Sequence, residues 1–389
     1  MNVLSPGPKR SPIWLDAKSG DVDAFRRIVM QSADPADTPR ATEVVRNIPI
    51  YDGAGVDAAA ADPHSRQGLM EEWANVFAHG AGIIVIRQGI ADHRIIDRAS
   101  AVFEQIIDAE KRAAKGGGDH FAKPGANDRV WNSLEKHCLA DPGNFAAYFS
   151  SHSIALASQA WLGPAYQMTA QVNRVNPGGA AQTPHRDYHL GFMTAERMAQ
   201  FPAHIHAVSP MLTLQGAVAH CDMPVETGPT MLLPFSQQFF EGYLAFSRPE
   251  FQEIFAQSFV QLPLSKGDLV FFNPAVMHGA GTNQTTDRFR MVNLLQVSSA
   301  FGRAMETVDR DRMVRALYPM LKAGGVVAEN VIAASAEGYP FPTNLDSNPP
   351  IGGIAPRSQA DLVREALAQG QSAADLFIQL DALVRKNQS

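Results

Sequence analysis

Thr183-Pro184-His185-Arg186-Asp187-Tyr188-His189-Leu190 is the stretch on which the reading of this chain turns. Side chains alternate along an extended strand, so His185 and Asp187 leave the same face. An imidazole beside a carboxylate is two thirds of the 2-His-1-carboxylate set that holds Fe(II) with positions left open. Alone, the pair reads equally well as a structural hydrogen bond. A third ligand arrives far downstream: Phe271-Phe272-Asn273-Pro274-Ala275-Val276-Met277-His278-Gly279 is an apolar strand that ends by delivering His278. Arg288 and Arg290 follow with equal strand parity. Either guanidinium fork can bind a carboxylate bidentately, which a lysine cannot do.

In their order and strand contexts, His185-x-Asp187, His278-Gly279-Ala280-Gly281 and Arg290 resemble the phytanoyl-CoA dioxygenase family of Fe(II)/2-oxoglutarate oxygenases. The resemblance implies an α+β fold: a double-stranded β-helix (jelly-roll, cupin-like) core with flanking N- and C-terminal helices. It implies Fe(II) on His185, Asp187 and His278, with O2 and 2-oxoglutarate as co-substrates and the far carboxylate of 2-oxoglutarate on Arg290. Family spacing falls between the two arginines, on Phe289; Arg290 is preferred because Phe-Arg there opens an apolar strand, and Arg288 is its competitor. The implied reaction hydroxylates a small molecule and releases succinate and CO2. Asp187 stands where related halogenases carry Gly or Ala, so halogenation is not expected. An acyl-CoA substrate would want a basic patch for its phosphates, and Lys123 with Arg129 does not make one.

Further residues are candidates by position. Gln171 and Asn173 share one face of a strand next to the site and suit 2-oxoglutarate binding; outward polar residues would look the same. Trp131, Tyr188 and His189 suit a substrate pocket, although aromatics are more often plain core. His189 shares the parity of His185 and Asp187, which also makes it a rival ligand. The glycines of the His-Gly-x-Gly run are read as leaving the metal side uncrowded. His204, His206 and His220 have no partner at ligand spacing.

The 389 residues carry a formal charge of −6 and 45% apolar residues, with no dense Lys/Arg block. That excludes nucleic acid or an anionic membrane as the main partner and leaves a small molecule. Cys138 and Cys221 form no Cys-x-x-Cys motif, so a reducing cytoplasm fits. No signal-peptide core or membrane-length apolar run is seen, and oligomeric state is not legible. A helical extension is expected over 1–75, the catalytic domain over 76–300, and a C-terminal helical extension packed on the core over 301–389. Helical spacing marks Asp21–Gln31, Gly68–His79, Asp92–Lys115, Pro142–Leu162, Val308–Ala323 and Gln359–Lys386. Ala58–Pro63 reads as a linker and Asp119–Arg129 as a loop. Strands are expected over Ile83–Ile86, Met168–Val175, Thr183–Tyr188, Met211–Ala219, Thr230–Pro234, Leu269–Phe272 and Arg290–Val297. Two other classes compete: a non-redox cupin-like metalloenzyme (isomerase or hydrolase) on the same ligands, and a β-helix ligand-binding protein without catalysis whose His-Asp pair is structural.

Overall fold

A computed structural model describes residues 13–113 and 125–387. Its strands are β1 (Glu43–Val45), β2 (Ile48–Asp52), β3 (Ile83–Arg87), β4 (Asn127–Val130), β5 (Gln167–Val175), β6 (Thr213–Ala219), β7 (Met231–Leu233), β8 (Leu269–Phe272), β9 (Met277–Gly279) and β10 (Arg290–Ser298). Eight of them form one sheet in the order β1-β2-β3-β8-β6-β10-β5-β4. Its neighbours run antiparallel except β2 and β3, which are parallel. β7 and β9 form a second, short sheet, which single bridges extend to His185 on one side and Val260 on the other. This mixed-sheet core with flanking helices is consistent with a jelly roll of the double-stranded β-helix kind.

Period-two alternation decides what each face of the large sheet does. On β10, Met291, Leu295 and Val297 enter the core beneath the helices. Val292 packs instead between the two sheets, with Val85 of β3, Ala217 of β6 and Val270 of β8. A one-residue slip would exchange the two sets. Each buried Val, Leu or Ile contributes roughly 1.5–3 kcal/mol, so the register is strongly specified.

The helices cover the opposite face. His93–Arg112 starts at Asp92, whose side chain accepts from the Arg94 N–H, and buries Ile96, Ala99, Phe103 and Ile107 at helical spacing. Pro142–Phe149 and His152–Leu162 follow the same rule, capped by Asp141 and Ser151. The C-terminal helices Arg310–Ala323, Ala328–Ser335, Gln359–Ala368 and Ala373–Asn387 join that core through Leu317, Val331, Leu362 and Leu376.

Several local expectations change. Ala58–Pro63 is no linker: Gly53–Ala60 is helical, and Pro63 opens the helix Pro63–Ala78 behind the cap Asp62. Proline suits that first position because its missing N–H would have no helical partner there. The segment before residue 76 supplies β1 and β2 as well as helices. In the expected loop Asp119–Arg129, residues 119–124 lie outside the described residues, whereas Asn127–Val130 is the edge strand β4. Thr183–Tyr188 pairs only through His185. Gln359–Lys386 is two helices broken at Gly370, where φ is +65°.

Candidate metal centre and its cavity

His278 lies in the middle of β9, and its neighbour across the bridge is His185. The two exchange backbone hydrogen bonds, His185 N to His278 O at 2.8 Å and His278 N to His185 O at 3.0 Å. Asp187 N donates to Pro274 O at 3.1 Å. The rings are pinned as well: His185 Nδ1 lies 2.8 Å from Thr183 O, and His278 Nδ1 lies 2.8 Å from Val276 O. A carbonyl only accepts, so each Nδ1 carries the proton and each Nε2 keeps its lone pair. Both Nε2 atoms face one carboxylate, His185 at 3.3 Å from Asp187 Oδ1 and His278 at 3.5 Å from Asp187 Oδ2. The three donor atoms lie within 4.8 Å of one another.

Burial alone would raise the Asp187 pKa, but hydrogen bonds and charge from His185 and His278 hold it far below the usual carboxylate range. His185 shows the converse: burial pulls it down, and Asp187 more than restores it, leaving it raised. Gln215 Nε2 on β6 donates to Asp187 Oδ2, while Gln215 Oε1 has no hydrogen-bond partner among the described residues. Arg186, between the two ligands in sequence, turns away from them. It is buried, donates to the carbonyls of Ser236 and Phe239, and lies over the Tyr243 ring. Burial pushes it down to about 10.

The triad opens on a cavity of about 810 Å³ that also holds Arg290. Arg290 is 4% exposed, and Nη1 donates to Thr227 O at 2.7 Å, Gly281 O at 3.1 Å and Gly228 O. Burial pushes the guanidinium down to about 10. Its acceptors are neutral carbonyls, so the positive charge is not matched by an anion of the protein. Two glycines let those carbonyls converge: Gly228 has φ +72°, and a Cβ there would stand 2.4 Å from Thr282 O. A Cβ on Gly281 would meet Gln261 Nε2 at 2.3 Å, and one on Gly279 would meet Gln182 O at 3.1 Å. The His-Gly-x-Gly glycines thus serve close backbone approach rather than an uncrowded metal side. Arg288 is exposed and does not line the cavity; Asn283 Nδ2 holds its carbonyl at 2.7 Å.

Gln171, Asn173 and Trp131 all line the cavity. Gln171 Oε1 accepts from Arg129 Nη1 at 2.9 Å, and Asn173 Oδ1 has no partner among the described residues. Tyr188 and His189 do not line it. Positive φ values of +65° and +38° at these two residues break the alternation, and the chain turns into a 3-10 turn at His189–Phe192. His189 is therefore neither rival ligand nor cavity wall, and Tyr188 is buried with its hydroxyl donating to Gln296 Oε1. The sequence reading missed Gln215, Gln296 and Met305, and gave Arg129 no place in the wall. Gln215 left a trace, a lone polar residue sharing parity with Ala217 and Ala219. Of the unassigned histidines, His206 Nε2 lies 3.1 Å from Met198 O, and His220 is buried on the helix side between Ser100 Oγ and the Tyr148 hydroxyl.

The family model for phytanoyl-CoA dioxygenase (PhyH) matches residues 78–292. The chain belongs to the phytanoyl-CoA dioxygenase family. Its conserved-order triad, two neutral imidazoles and a carboxylate, is the donor set that suits Fe(II), as in Fe(II)/2-oxoglutarate-dependent enzymes of this superfamily. Among solved structures, the chain is similar to the α-ketoglutarate-dependent epimerase SnoN of nogalamycin biosynthesis, at 20% identity and TM-score 0.40, covering 61% of this chain and 85% of that one. It is similar to AviO1 from Streptomyces viridochromogenes Tue57, at 19% identity and TM-score 0.43, covering 59% and 96%. The carbocyclase SnoK of nogalamycin biosynthesis matches at 16% identity and TM-score 0.44, covering 64% and 92%. No residue role in this chain rests on these likenesses. A search of the curated proteins finds no match. Among the described residues, no helix of this phytanoyl-CoA dioxygenase relative is long and apolar enough to cross a membrane.

Proposed function

We propose that the chain is a dioxygenase that binds Fe(II) on His185, Asp187 and His278 and hydroxylates a small molecule, with 2-oxoglutarate converted to succinate and CO2. The observation that carries this reading is the convergence of two carbonyl-pinned histidines and one carboxylate in the cavity that also buries Arg290. When bound, iron with 2-oxoglutarate supplies the activation of O2 that a C–H bond requires. The chain's own residues do the rest. Thr183 O and Val276 O fix the imidazole tautomers, and Gln215 holds one oxygen of Asp187, so the donor atoms are oriented before any ligand arrives. Arg290 is a buried, pre-positioned cation for the distal carboxylate. Asn173 Oδ1 and Gln171 add polar atoms to the same wall. The apolar lining of Val85, Leu232, Leu264, Val270 and Val292 excludes water.

An anaerobic titration of the Fe(II)-loaded protein with 2-oxoglutarate tests this directly. The expected result is a visible metal-to-ligand charge-transfer band that is absent from His278→Ala. Bound iron without the band would favour the non-redox metalloenzyme; a folded protein that binds no iron would leave a ligand-binding β-helix.

A further inference from the structure

The charged side chains lining the cavity are few: Arg129, His185, Asp187, His278 and Arg290. Asp187 contributes the sole carboxylate among them. If the triad holds Fe(II) and Arg290 a dicarboxylate, Arg129 remains as a second cation, and it belongs to neither group by position. Strand register shows this. Arg129 pairs with Asn173 on β5, which pairs with Val292 on β10, whereas Arg290 stands one step along, opposite Val175. Two inter-strand spacings, roughly 10 Å, and a two-residue step, roughly 7 Å, separate the two arginine backbones.

Arg129 is built in rather than incidental. It is 6% exposed, Gln171 Oε1 holds Nη1 at 2.9 Å, and the guanidinium stands 4.9 Å over the Trp131 ring. Phe192 and Met305 line the same cavity. Phe192, 55% exposed, marks its mouth. Glu306 acts on Arg129 electrostatically, yet it does not line the cavity. Burial is the main influence on Glu306 and raises it, with the Asn132 N–H, Gln171, Lys136 and Arg129 opposing. A guanidinium with its plane fixed by an amide and an indole presents a fork to one kind of ligand, a carboxylate attached to a flat or apolar body.

We infer that the substrate is a small carboxylic acid with an aromatic or apolar body, its carboxylate held by Arg129 at the β4 edge and its body lying along Trp131. The inference rests on the Fe(II)/2-oxoglutarate reading for the identity of the other ligand. It is tested by calorimetry without O2, titrating the Fe(II)- and 2-oxoglutarate-loaded protein with a series of phenylalkanoates and with their primary amides. The acids are expected to bind at least tenfold more tightly than the amides. Arg129→Gln should erase that preference, Arg129→Lys should keep part of it, and Trp131→Leu should weaken acid and amide alike. Equal binding of acids and amides, no binding of either, or a preference that survives in Arg129→Gln overturns the inference. The charge-transfer band separates the two levels. Its retention in Arg129→Gln shows an intact site and supports the assignment, whereas its loss there would move Arg129 to the co-substrate and overturn it. A wild-type protein without the band overturns the Fe(II)/2-oxoglutarate reading itself, and this inference with it.

Discussion

Two pairs of histidines lie on opposite sides of the large sheet, and the chain treats them differently. On the cavity side, His185 and His278 each give Nδ1 to a backbone carbonyl and turn Nε2 toward Asp187. On the helix side, His220 has both ring nitrogens occupied, Nδ1 at 2.8 Å from Ser100 Oγ and Nε2 at 3.0 Å from the Tyr148 hydroxyl. Its companion His137 gives Nε2 to Asn144 Oδ1 at 2.8 Å and packs edge-on against Phe103 and Phe145. Burial does not separate the pairs, since His278 and His220 are 5% and 4% exposed. What separates them is the second nitrogen. A histidine whose protein partners take only one leaves the other for a metal, and a histidine with both taken is part of the core.

That contrast can be broken most severely by exchanging the pairs' fates. His278→Ala should lower Fe(II) affinity by more than the roughly 10–100-fold typical of losing an outer-shell partner, with little change in melting temperature. His220→Phe should do the opposite, costing about 1–3 kcal/mol because Ser100 and Tyr148 lose a buried partner, with iron binding intact. Denaturant unfolding and iron titration on both variants would decide; equal effects on both readouts would dissolve the distinction. A smaller effect is expected at the arginines. Arg290→Gln should raise the 2-oxoglutarate requirement by roughly 10–100-fold, the value of a charge-assisted hydrogen bond, and Arg288→Gln should leave it unchanged in succinate-release kinetics. The reverse order would hand the clamp to Arg288.

The mildest effect is on pH. Burial pushes His137 down to about 4 and His220 down to about 3, so both stay neutral in the fold where a free histidine would be charged. The unfolded chain then binds more protons between about pH 6.5 and pH 4. Stability should be fully present above about pH 6.5 and fall as the pH drops through that window, by at most about 1.4 kcal/mol per pH unit for each histidine. Denaturant midpoints measured at pH 7, 6 and 5 would show it, and His220→Phe should flatten the slope by up to half.

How much of this was legible depended on whether a signal was local. The triad was, because β9 and the apolar run before it are continuous in sequence and His185-x-Asp187 is a two-residue motif. β5, β8 and β10 were also clear from their apolar runs. β4 was not: Asn127-Asp128-Arg129-Val130 is polar, and only its pairing with β5 makes it a strand. The same holds for β1 and β2, which earn their place by the parallel contact of β2 with β3. His189 misled because parity was carried past Tyr188, where the backbone turns to positive φ. The choice between Arg288 and Arg290 could not be made by parity, which they share. Asn283, donating to the carbonyls of Val175, Asn176 and Arg288, fixes the loop so that the strand begins two residues later.

The reciprocal hydrogen bonds between His185 and His278 carry a thermodynamic consequence. In small zinc domains the ligands find one another only when the ion arrives, so metal affinity is folding energy. Here the backbone has already joined the two ligand strands, and the entropy of ordering the ligands is lost when the chain folds. Iron should therefore come and go without opening the barrel, stabilising it only by mass action in proportion to its free concentration.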